Sequence, residues 1–132
     1  MCLITTNPIK TAKNDITVYK TVFSNNDKMS WVGLYQYNDK QFPFDVLIEN
    51  KEQKDITNKG HGKIVCVGAG FFHSTSSYSR AYNLFLQNQN RFLAKFYPIR
   101  VCECVIPKGT EYYVDENDCY ASKNIIVKNK QV

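Results

Sequence analysis

Two stretches decide how this chain is read: Gly70-Phe71-Phe72-His73-Ser74-Thr75-Ser76, and Glu103-Cys104-Val105-Ile106-Pro107-Lys108-Gly109-Thr110-Glu111-Tyr112-Tyr113-Val114. The first is a strand ending in three consecutive hydroxyl-bearing side chains, beside one of only two histidines. A helix follows at once. With Ser76 or Ser77 as N-cap, Tyr78, Ala81, Tyr82, Phe85 and Leu86 fall at i, i+3, i+4, i+7 and i+8, which predicts one apolar face turned to the core. In the second stretch, alternate side chains of a strand point to opposite faces. Glu103 therefore shares a face with Val101 and Val105, while Cys102, Cys104 and Ile106 take the other. A carboxylate between two valines has two readings. Either it reaches past its neighbours to water or a lysine at a sheet edge, or it lines a cleft where partial desolvation strengthens its action on a substrate.

Working outward, Ile16-Thr17-Val18-Tyr19-Lys20-Thr21-Val22-Phe23 is rich in β-branched residues and predicts a strand with Ile16, Val18, Lys20 and Val22 on one face. Further strands are expected at Trp31 to Tyr37, at Phe42 to Ile48, where Pro43 favours a strand start or an edge, and at Lys63 to Val67. The polar run from Glu49 to His61 reads as an exposed loop, and Gly68-Ala69-Gly70 as a sharp turn. Phe92, Leu93 and Phe96 extend the helix or begin another, which Pro98 closes. A turn at Pro107-Lys108-Gly109-Thr110, a strand from Glu111 to Val114, a polar loop from Asp115 to Asp118 and a last strand from Ile125 to Val127 complete the chain. Strands outnumber helices. The expected class is α+β, with mainly antiparallel strands in two small sheets and one principal amphipathic helix, in a single domain over 1–132.

Composition narrows the function classes. Apolar residues are 43% and aromatics 14% of the 132, enough to build a core without staples. The net charge of +5 comes mostly from lysines scattered along the chain, which lack the planar fork that reads bases or grips phosphates bidentately. No sequence-specific nucleic-acid partner is expected. No run approaches the roughly 18 apolar residues of a spanning helix, so no membrane partner is expected either. Five cysteines, at 2, 66, 102, 104 and 119, with no leader-like segment at Met1-Cys2-Leu3-Ile4, read as reduced thiols in a cytoplasmic protein. They contain no C-x-x-C pair, so no metal site is expected.

With these residues in hand, the chain resembles a divergent ADP-ribosyltransferase, most nearly the small clostridial exoenzymes that modify Rho proteins. Gly70 to Ser76 is similar to that family's Gly-Phe-x-Ser-Thr-Ser strand with one residue extra, and Glu103 to Lys108 to the segment holding its catalytic glutamate. Thr110 to Asp115, Asn124 to Val127 and Val18-Tyr19-Lys20 continue the likeness. The resemblance implies an ADP-ribosyltransferase-like fold and NAD as substrate, in mono-ADP-ribosyl transfer or NAD hydrolysis. Glu103 and Ser74 would be the catalytic pair, the carboxylate stabilising an oxocarbenium-like ribose. Lys20 would meet the NAD phosphates, Phe72 or Tyr78 the nicotinamide ring, and Thr75 and Ser76 would complete the contacts. Lys20 replaces the family's arginine, and Val101 the second Glu or Gln that engages the acceptor, which is the pattern of a degenerate relative.

Two other function classes fit the residues. The start of the chain and Ile106-Pro107-Lys108-Gly109-Thr110-Glu111-Tyr112-Tyr113 also resemble small phage-type proteins, which implies an accessory or inhibitor module binding a host protein or a nucleotide through a tyrosine-rich surface. Removal of Met1 would expose Cys2 as an N-terminal nucleophile, as in a hydrolase.

Overall fold

The computed structural model describes residues 3–24, 30–34, 41–49, 56–59, 64–67, 71–91 and 97–131, with the backbone alone at 56–59, 64–67 and 131. Cys2, Gly68 to Gly70 and Phe92 to Phe96 lie outside the described residues. The strands are β1 (Leu3–Thr5), β2 (Lys10–Thr11), β3 (Ile16–Ser24), β4 (Ser30–Gly33), β5 (Phe42–Pro43), β6 (Leu47–Glu49), β7 (Ile56–Lys59), β8 (Ile64–Val67), β9 (Phe72–Thr75), β10 (Ile99–Ile106), β11 (Glu111–Val114), β12 (Cys119–Ser122) and β13 (Asn124–Gln131). One helix, α1 (Tyr78–Asn88), stands between β9 and β10. Every ladder among the described residues is antiparallel. The chain is thus α+β with a single described helix.

The sheets are unequal, in contrast to the two small ones expected. One has three strands, in the order β1-β8-β7, and the other has ten. Eight of the ten run β2-β11-β12-β9-β3-β10-β13-β6, and β4 with β5 branches from β3. β3 is the hub. Its whole length from Ile16 to Phe23 pairs with β10 along one edge. The other edge is shared: β9 meets it only at Tyr19, opposite Thr75, and β4 meets it from Val22 to Ser24. Lys20 and Thr21 fall where that edge passes from one neighbour to the other.

Three further differences have local causes. β7 lies inside the polar run expected to be a loop, paired with β8 through Ile56 to Lys59. The strand expected over Phe42 to Ile48 breaks into β5 and β6, because Asp45 turns the backbone at φ 61° and its carboxylate accepts the Asn129 amide. β12 was not foreseen, since Cys-Tyr-Ala-Ser carries no β-branched residue, yet it forms the rung between β9 and β11. The turn at Pro107 to Thr110 is as expected, with Gly109 at φ 90° and the Thr110 amide donating to the Pro107 carbonyl.

The main core lies on the even-numbered face of β3. Val18 and Val22 pack there with Trp31, Phe42, Phe72, Cys102, Cys104 and Ile106. A smaller cluster of Leu3, Phe71, Tyr113 and Ala121 joins β1 to the large sheet. The helix begins where expected: Ser77 is the N-cap and its hydroxyl accepts the Arg80 amide. Its buried face is not the expected one. Ala81 and Asn88 are buried and Leu84 and Phe85 half-buried, whereas Tyr78, Tyr82 and Leu86 are each 42% exposed. At about 100° per residue, the helix is rolled by roughly 80° from the expected orientation. Ala81 brings the backbone close enough to β3 for the Thr21 hydroxyl to donate to the Ala81 carbonyl. The displaced rings of Tyr78, Tyr82 and Phe85 instead stack along the helix, at centroid separations of 6.0 and 5.8 Å.

Candidate functional site

A cavity of about 350 Å³ opens where β3 exchanges β9 for β4. Its walls come from both sides of the sheet because the strands part there. Thr21, Ala81 and Leu84 line the helix side, and Lys20, Trp31 and Ser74 the core side. Beyond the single Tyr19–Thr75 pair, the bridge between β3 and β9 is made by a side chain. Lys20 Nζ donates to the His73 carbonyl at 2.6 Å.

Lys20 is the chemical oddity of the site. It stands on the core face between Val18 and Val22, and its register partner on β10 is Cys102. The residue keeps some exposure, but its ammonium is desolvated, and burial pushes Lys20 down from 10.5 to about 8. The neighbouring Cys104 pulls weakly the other way. Among the described residues no carboxylate pairs with it. Apart from the His73 carbonyl, its nearby polar partner is the Trp31 ring, 5.7 Å from Nζ to the centroid. A desolvated cation without a counterion costs several kcal/mol of solvation and is seldom kept for stability.

Two further groups in the same walls are unsatisfied. Ser74 Oγ and Trp31 Nε1 are buried without a hydrogen-bond partner among the described residues. Buried polar groups are paired in the great majority of cases, so each exception calls for an explanation. Trp31 is held by Phe42 and Phe72, at 4.8 and 6.4 Å between centroids, which fixes the indole in place. Arg80 adds a second cation to the wall from the first turn of the helix. Asp115, also in the wall, commits its Oδ1 to the amides of Asn117 and Cys119. Four residues that carry hydrogen-bond donors, Lys20, Arg80, Trp31 and Ser74, thus line one space.

The other residues singled out in sequence take varied places. Phe72 lines the cavity and packs on Trp31. Thr75 also lines it, but its hydroxyl is engaged, donating to the Asp118 carbonyl and accepting the Ser77 amide. Ser76 is exposed, and its amide donates to the Asp118 carbonyl. Tyr78 stands outside the lining, edge-on to Tyr19 at 5.7 Å. Glu103 pairs across β10 with Tyr19 while Lys20 pairs with Cys102, so the two charges lie on opposite faces of the ladder. Glu103 is outside the cavity lining and forms an ion pair with Lys128 at 3.2 Å, where β13 slips in register opposite it. Lys20 and Ser74 therefore share one cavity, and Glu103 is not part of its wall.

The cysteines of β10 belong to the core. Burial pushes the Cys102 thiol up to about 11, with Arg100 opposing and Asp45 adding, and drives the Cys104 thiol far higher, against the pull of Lys20. Cys119, in the cavity wall, is also raised, by burial first and Asp115 second. These thiols stay protonated at neutral pH, the less nucleophilic form. Trp31 was not recognised as a site residue from sequence. The available signal was the lysine set between valines on β3, which needs a polar or aromatic neighbour once that face is the core.

No protein-family model, curated protein or solved structure matches this chain. Among the described residues no helix is long and apolar enough to cross a membrane.

Proposed function

We propose that the cavity between β9 and β4 binds the anionic part of a small nucleotide-type ligand, with NAD or ADP-ribose as the first candidates. One observation carries this: Lys20, whose desolvated ammonium has no carboxylate partner among the described residues, lines the same cavity as Ser74 and Trp31, whose buried hydroxyl and indole N–H have no hydrogen-bond partner there either. A phosphate oxygen would satisfy the ammonium and the hydroxyl together, and the aromatic wall suits a flat ring. The resemblance to ADP-ribosyltransferases assigned Lys20 and Ser74 to the NAD contacts and the catalytic pair, and both line this cavity. Binding, rather than transfer, is the function proposed, since Glu103 is paired with Lys128 on the opposite face of the β3–β10 ladder.

Isothermal calorimetry with NAD and ADP-ribose tests the reading. A charge-assisted hydrogen bond contributes about 1.5–3 kcal/mol, so Lys20→Met is expected to weaken binding by roughly 10- to 100-fold. Ser74→Ala should weaken it by a smaller factor, and Glu103→Gln should leave it unchanged. Absence of heat with both ligands at millimolar concentration would remove the nucleotide from the site.

A further inference from the structure

Lys20 has the surroundings of an amine nucleophile as well as those of an anion anchor. We propose that Lys20 forms a reversible imine with small aromatic aldehydes that enter the cavity. The inference shares the cavity with the nucleotide reading but does not depend on a nucleotide binding there.

Three features of the geometry carry it. First, Lys20 stands on the core face of β3 between the buried Val18 and Val22, its ammonium is desolvated, and no carboxylate among the described residues holds the nitrogen charged. Second, the single hydrogen bond from Nζ to the His73 carbonyl fixes the nitrogen through one N–H. In the neutral amine this leaves the lone pair uncommitted. Third, Ser74 lies next to the Tyr19–Thr75 pair and beside His73, whose carbonyl holds Nζ; it lines the same cavity as Lys20, and its buried hydroxyl lacks a partner among the described residues. That hydroxyl is the group at hand to hydrogen-bond the carbonyl oxygen as negative charge grows on it. The low proton affinity of the ammonium agrees with this arrangement. Desolvation of a lysine in an apolar pocket is an established way of activating it.

The step balances without any further reactant. The Nζ lone pair attacks the carbonyl carbon, forming the C–N bond, and the π pair moves to oxygen. One proton passes from nitrogen to that oxygen to give a carbinolamine. The nitrogen lone pair then expels the hydroxyl group, which leaves as water with the second nitrogen proton, and the C=N bond remains. An aromatic aldehyde is the class that suits the walls, because Trp31 and Phe72 offer ring surfaces beside the nitrogen.

The test uses the full chain, benzaldehyde and sodium cyanoborohydride at pH 7, with the modified lysines mapped by peptide mass spectrometry. Reduction converts each imine to a stable N-benzyl group. A lysine that titrates near 8 has a neutral fraction at pH 7 on the order of 100-fold above that of an ordinary one, so Lys20 is expected to label at least 10-fold faster than the exposed lysines. The advantage over other lysines should vanish in denaturant, and Lys20→Met should lose the fast lysine site while retaining slow labelling of the other lysines. Ser74→Ala should slow the Lys20 reaction without moving the rates of other lysines. Labelling of Lys20 no faster than that of Lys10, Lys13 or Lys108 in the folded protein would overturn the proposal. Fast labelling with no NAD binding would overturn the nucleotide reading alone, and NAD binding without fast labelling would overturn only this one.

Discussion

Lys20 and Glu103 are charged residues set between valines on adjacent strands, one flanked by Val18 and Val22, the other by Val101 and Val105. As patterns they are equivalent. In the fold they are opposites, because β3 and β10 pair with Lys20 against Cys102 and Glu103 against Tyr19. The lysine is turned into the core beside Trp31 and left with one backbone carbonyl. The glutamate is turned to the helix side and meets Lys128. The difference shows that alternation reports which residues share a face but not which face is the core. That choice depends on β4 and β5, whose Trp31 and Phe42 cover the even-numbered side of β3.

The largest expected effect tests which face is the core. Trp31→Ala removes a fully buried ring and should destabilise the protein by about 3–5 kcal/mol in chemical denaturation. Tyr82→Ala, on the exposed side of the helix, should cost about 1 kcal/mol or less. Equal effects would mean that the helix is packed through its tyrosines after all.

Next comes Lys20 itself. Its folded value of about 8 lies below the ordinary 10.5, so the unfolded chain holds this proton more tightly than the folded one. The charge therefore costs stability in full below pH 8, and the cost fades as pH rises toward 10.5. At 1.36 kcal/mol per pH unit, Lys20→Met should be more stable than the parent by about 3 kcal/mol at pH 7, with the gap closing over that window. A variant less stable than the parent at pH 7 would show that Lys20 is held by interactions stronger than its desolvation.

The smallest effect belongs to the other member of the pair. Glu103→Gln breaks a partly exposed ion pair and is expected to change stability by about 1 kcal/mol or less, with a dependence on salt. A loss of several kcal/mol would place Glu103 in a role that the Lys128 pair does not describe.

Much of the fold could be read from local chemistry. β3, β10, β11 and the start of α1 follow from β-branched runs, alternation and the Ser77 cap, all within a few residues of one another. What escaped was set by distant partners. β12 exists because β9 and β11 flank it, β13 runs on through Lys128-Asn129-Lys130 beside β10, and the helix rolled so that Ala81 could approach Thr21. The site follows the same division. Lys20 and Ser74 were singled out from their strands, but the cavity between them arises from β3 sharing one edge between β9 and β4, which no local pattern encodes. Trp31 was read only as the start of a strand, and its unpaired indole nitrogen appears only once Phe42 and Phe72 enclose it.

The desolvated, ligand-accepting state of Lys20 can be measured directly by NMR titration of the lysine 13Cε resonances, with Lys20→Met assigning the signal. The expected midpoint is about 8, rising when ADP-ribose is added because a bound phosphate favours the charged form. A midpoint at the ordinary 10.5, unmoved by ADP-ribose, would contradict both the burial of the ammonium and its part in binding.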